Sequence, residues 1–60
     1  MSFDRWLEAV RDHLVSHSAM TTDEAHAYVF DNRPDWQMYF DDSYAPADAA
    51  DEDMSYWDAD

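Results

Sequence analysis

Carboxylates dominate the reactive side chains of this chain: fifteen Asp and Glu face three Arg and no Lys, for a net charge of −12 over 60 residues. The densest group is Asp48, Asp51, Glu52 and Asp53, with Asp41 and Asp42 just before it and Asp35 and Asp58 flanking it. On a helix, Asp48, Asp51 and Glu52 fall at i, i+3 and i+4 and share one face, with Cβ atoms about 5–6 Å apart. Carboxylates so placed can exchange protons, hold a hard cation or accept paired hydrogen bonds from arginine. Acid–base catalysis needs a walled pocket that drives two carboxyl pKa values apart, and a short helical chain has little room for one. A helix–loop–helix calcium site needs oxygen ligands at fixed offsets and a glycine at its sharp turn, and the chain has no glycine. The lack of glycine also removes the usual phosphate-cradling loop. Two uses remain: recognition of a basic surface, or a solvated face that serves only solubility.

Histidine offers a second chemistry. His13 and His17 are four apart, close enough on a helix for both to touch one zinc ion. Asp12 is off that face, His26 belongs to another segment, and no Glu sits between the pair as in helical metalloproteases. The expectation is therefore two histidines at the edge of the core, with no metal and no cofactor. There is no cysteine for thiolate ligands, nucleophilic chemistry or disulfides. Serine, histidine and aspartate occur without a recognisable nucleophile motif. The chain is expected not to be an enzyme.

These groups have to be positioned by helices. Phe3, Trp6, Leu7, Val10 and Leu14 form one apolar stripe, with Ser2 as N-cap, which predicts a first helix ending near Ser16–Ser18. Thr21 and Glu24 form a capping-box pattern ahead of Ala25, Tyr28, Val29 and Phe30. The alternative for Ala27–Phe30 is a short strand, but a lone strand pair would be marginal. Pro34 suits the first turn of a third helix carrying Trp36, Tyr39 and Phe40 on one face, and Pro46 opens a fourth. Any turn that needs positive φ falls to Asn32 or to an Asp. The expected fold is all-α: one domain over residues 1–60, a small bundle of three to four short helices with an acidic C-terminal half. The expected core is Phe3, Trp6, Leu7, Val10, Leu14, Tyr28, Val29, Trp36 and Phe40. Residues 55–60 are expected to form a loose tail. A core this small could be completed by a second copy, so monomer and homodimer both stand. No apolar run reaches the roughly 20 residues of a membrane span, and the first residues lack a signal-peptide layout, so a cytoplasmic protein is expected.

The charge is one-sided. All three Arg precede Pro34, while nine acids and no base follow it. Solubility alone does not call for that asymmetry. Ten aromatic residues in the same chain argue against a disordered acidic tail.

The words Asp35-Trp36, Tyr39-Phe40-Asp41-Asp42 and Tyr44-Ala45-Pro46-Ala47-Asp48-Ala49-Ala50 resemble a family of small acidic proteins of phages and plasmids. The opening Phe3-Asp4-x-Trp6-x-x-Ala9-Val10 is in the same style. Members commonly carry a glycine in the link before the proline, where this chain has Asp42-Ser43. In size and charge the chain is also similar to the anti-CRISPR proteins of mobile elements, some of which imitate DNA. That likeness implies an inhibitor in a bacterial host cell. It implies as partner a basic surface of a nucleic-acid-binding complex, a Cas protein of a type I surveillance complex first, with no direct binding of nucleic acid. Asp35, Asp41, Asp42, Asp48, Asp51, Glu52, Asp53 and Asp58 are then the expected partner-binding residues. The same physics would serve an anti-restriction protein, whereas an antitoxin-like module would bind through an aromatic helix face.

Overall fold

A computed structural model describes residues 1–57 as four helices: α1 (Phe3–His17), α2 (Thr22–Phe30), α3 (Arg33–Asp41) and α4 (Pro46–Ser55). No strand occurs among the described residues, and Ala27–Phe30 is helical. Helix α1 lies at the centre and packs chiefly against α2 and α4, with α3 closing one side. Its stripe is buried as the spacing requires: Leu7, Val10 and Leu14 are fully covered, and Trp6 nearly so.

Each helix boundary has a local cause. The Ser2 hydroxyl accepts from Arg5 N at the start of α1. At its end, Ser18 Oγ donates to the Leu14 carbonyl (2.6 Å) and accepts from Met20 N (3.2 Å). The capping box forms in both directions: Thr21 Oγ1 accepts from Glu24 N, and Thr21 N donates to Glu24 Oε1 (2.9 Å). That bond lowers the Glu24 pKa, because it favours the ionised carboxylate. Pro34 and Pro46 sit in the first turns of α3 and α4, where a missing N–H costs nothing.

Among the described residues, positive φ falls at neither Asn32 nor an Asp. Asn32 has φ −117, and its side-chain amide donates to the Tyr28 carbonyl (2.7 Å), closing α2. The left-handed residue is Ser43, at φ 64. Ser43 N donates to the Phe40 carbonyl (3.1 Å) and Tyr44 N to the Tyr39 carbonyl (3.0 Å), the two bonds of a Schellman C-cap. The rings of Tyr39 and Tyr44, 5.1 Å apart, supply its side-chain contact.

The core departs from expectation in two ways. Trp6, Leu7, Val10, Leu14, Val29 and Trp36 are buried as expected, while Phe3, Tyr28 and Phe40 are only partly covered and pack around the edge. Ala25, Ala49 and Ala50 are fully buried and were not expected there. Side chains this small let α4 approach α1 closely. Of the tail expected over 55–60, residues 58–60 lie outside the described residues. Ser55 ends α4, and Tyr56 N and Trp57 N donate to the carbonyls of Asp53 and Met54. The Trp57 ring meets Tyr28 edge-on at 5.9 Å. No helix among the described residues is long and apolar enough to cross a membrane.

Candidate protein-binding face

The C-terminal acids divide by helix register. In α4, Pro46, Ala49, Ala50 and Asp53 fall at i, i+3, i+4 and i+7, with Met54 beside them, and this stripe faces the core. Asp48, Asp51 and Glu52 lie on the exposed side. Asp53 is therefore half-buried, and its carboxylate accepts the hydroxyl proton of Tyr28 from α2. Asp51 reaches back to α1, where His13 Nε2 donates to Asp51 Oδ1 (2.8 Å). A carboxylate can only accept, which assigns a proton to that ring nitrogen. Glu52 Oε1 lies 3.5 Å from the Tyr56 hydroxyl.

On α3, Asp35 is exposed in the first turn, and Asp41 accepts from Gln37 Nε2 (2.8 Å). Asp42, the C-cap of α3, is exposed, as is Asp48. Asp58 lies outside the described residues.

No arginine reaches these acids among the described residues. Arg11 pairs with its neighbour Asp12 (3.0 Å), and the Arg33 guanidinium stacks 5.2 Å from the Phe30 ring centre. The charge of the C-terminal half is thus met by one histidine and neutral hydroxyl or amide donors. Its field extends outward, to roughly 8 Å at physiological ionic strength.

The two histidines of α1 stack at 4.1 Å between ring centres, His13 half-buried and His17 exposed. No group of three or more His, Asp or Glu is placed to hold a metal ion among the described residues.

Two concavities adjoin the acidic side. A wide groove of about 600 Å³ runs between the end of α1 and the end of α4, lined by Met20, Met54, Trp57, His17 and Glu24. A small notch of about 90 Å³ lies among α2, α3 and α4, lined by Tyr28, Asn32, Asp35, Trp36, Tyr39 and Asp53. Sequence reasoning missed the notch, because it gathers residues from three helices. The register of α4 was the available signal that Asp53 turns inward. Burial raises the pKa of Tyr28, helped by its hydrogen bond to Asp53. Burial raises that of Tyr39 too, with the nearby Asp53 carboxylate second.

Comparison of the chain with protein-family models, with curated proteins and with solved structures finds no match.

Proposed function

We propose that this protein is an inhibitor that occupies a basic, nucleic-acid-binding surface of another protein, with carboxylates standing where phosphates would lie. The observation that carries this reading is the exposed acidic side of α3 and α4, which no arginine of the chain neutralises among the described residues. A ten-residue helix such as α4 is about 15 Å long. Duplex DNA of that length carries about nine phosphates on its two strands, and about half of them face any one side. Helix α4 exposes Asp48, Asp51 and Glu52 over the same span. The charge density is comparable, and carboxylates accept the paired bonds of arginine as phosphates do. A net charge of −12 repels nucleic acid itself, so the chain competes with DNA and does not bind it.

The DNA- or PAM-binding channel of a CRISPR surveillance complex, type I first, is the target to test first. The test is a pull-down from cells that carry such a system and restriction enzymes, followed by competition with duplex DNA. DNA should displace the captured complex. The variant Asp48→Asn/Asp51→Asn/Glu52→Gln, checked for its helical circular dichroism, should bind about tenfold or more weakly, with the larger loss at low salt. Unchanged affinity in the folded variant would sink the assignment.

The groove beside Met20, Met54 and Trp57 favours a second reading. Tyr56 and Trp57 next to it are 63% and 40% exposed, which suits an antitoxin-like module binding through apolar contacts. Capture that survives high salt and is lost on Trp57→Ala would select it.

A further inference from the structure

The notch among α2, α3 and α4 combines three features that no single helix supplies. Two carboxylates line it: Asp35, exposed at its rim, and Asp53, half-buried within it. Three aromatic residues wall it: Tyr28, Tyr39 and Trp36, with Trp36 edge-on to Tyr28 at 6.1 Å and tilted against Tyr39 at 5.8 Å. Trp36 is 2% exposed, and its indole N–H is the one buried side-chain polar atom without a partner among the described residues. Both carboxylates act on the Tyr28 hydroxyl and help hold it protonated, behind burial as the main cause.

The size of the notch limits its occupant. About 90 Å³ equals roughly three water volumes, enough for the head of one side chain and too little for a cofactor. Its chemistry limits it further. Two carboxylates call for a cation, and ring faces favour a flat one. A metal ion would find two carboxylates where a stable site needs more ligands. An ammonium group is compact and strongly hydrated, so it cannot lie flat on a ring while bonding two carboxylates. A guanidinium is planar, weakly hydrated and built for both contacts.

We propose that the notch seats one arginine side chain of a partner protein, its guanidinium held by Asp35 and Asp53 against the Tyr28 and Tyr39 rings, beside the buried Trp36 indole. This deepens the reading of the chain as a ligand for basic surfaces and rests on it for the identity of the partner. It also sets one residue apart within that surface. Asp48, Asp51 and Glu52 act as a diffuse field, whereas the notch reads a single arginine by shape and prefers it to lysine.

The experiment needs no biological partner. The full chain, labelled with nitrogen-15, is titrated at low salt with a blocked Ala-Arg-Ala tripeptide and with its Ala-Lys-Ala counterpart. The indole N–H signal of Trp36 is followed, assigned by its loss in Trp36→Phe. The arginine peptide should move that signal to saturation, and the lysine peptide should bind several-fold more weakly. Asp35→Asn, which removes no hydrogen bond within the described fold, should weaken the arginine peptide about tenfold. Asp53→Asn should do the same while keeping an acceptor for Tyr28. Glu8→Gln, exposed on α1, should change nothing. A Trp36 signal that stays still, an equal response to lysine, or full binding by Asp35→Asn would overturn the proposal. The two readings fail separately. A seated arginine with no DNA-displaced partner in cells leaves the notch and removes the DNA competitor. A DNA-displaced partner that Asp35→Asn binds as well as the parent does the reverse.

Discussion

Tyr28 joins α2 to α4 through the proton it donates to Asp53, and that proton makes the fold sensitive to alkali. Burial first, and then this bond, raise the Tyr28 pKa above its usual value of about 10. Below about pH 10 the ring is neutral in both folded and unfolded chains, and its contribution to stability is complete. Above that value the unfolded chain loses the phenol proton first and so binds fewer protons. Stability then falls as the pH rises through the folded-state value. Urea unfolding midpoints should hold steady up to about pH 10 and decline beyond it, with tyrosinate absorbance rising late. Tyr28→Phe should lower stability near neutrality by about 1 kcal/mol, through loss of the bond to Asp53, and should flatten the alkaline decline. A decline as steep as the parent's would assign the effect to other tyrosines, Tyr39 first, whose pKa burial also raises. The sequence marked Tyr28 as core and Asp53 as partner-facing. It could not show that the two meet, because 25 residues separate them. Only the packing of α4 beside α2 makes them neighbours.

Helix spans and caps were readable because their signals are local. Ser2, Thr21 with Glu24, Pro34 and Pro46 each act within one turn, and each stands where its type predicts. The turn between α3 and α4 was harder, since composition alone does not say which residue must go left-handed. The Schellman geometry places that demand on the residue after the C-cap, which is Ser43. A left-handed backbone costs a residue with a Cβ roughly 1–2 kcal/mol, and glycine avoids the cost while adding entropy to the unfolded chain. Ser43→Gly should therefore stabilise the fold by about 0.5–1 kcal/mol, seen as a Tm rise of roughly 2–8 °C in a thermal melt. An unchanged or lower Tm would show that the strain at Ser43 is relieved by other means. The buried alanines of α4 escaped notice for another reason. Ala49 and Ala50 add little to a hydrophobic pattern, yet their small size is what lets two helices touch.

The molecule spans 29 × 24 × 18 Å, and among the described residues no arginine meets the charge of the half that follows Pro34. Like charges so close repel one another, and salt screens that repulsion over a length that shrinks from about 30 Å at 0.01 M to 10 Å at 0.1 M. Raising sodium chloride across that range should raise Tm, although a protein held by ion pairs would lose stability. A falling Tm would mean that Arg11–Asp12 and His13–Asp51 outweigh the repulsion. The asymmetry itself was plain in the sequence, because charge is counted and not folded. What was hidden is that it is shared between two uses: Asp53 serves the interior, while Asp35, Asp41, Asp42, Asp48, Asp51 and Glu52 stay at the surface.

The Trp6 indole donates to the Tyr44 carbonyl (2.9 Å), and His13 reaches Asp51; both bonds span 38 residues. The first of the four helices is thus held by the last and by the link that leads into it. As the polypeptide leaves the ribosome, α1 can coil early but keeps part of its apolar stripe uncovered until α4 emerges. Assembly is then a late event shared by all four helices, and a nascent chain halted before Pro46 should be an easy substrate for proteases.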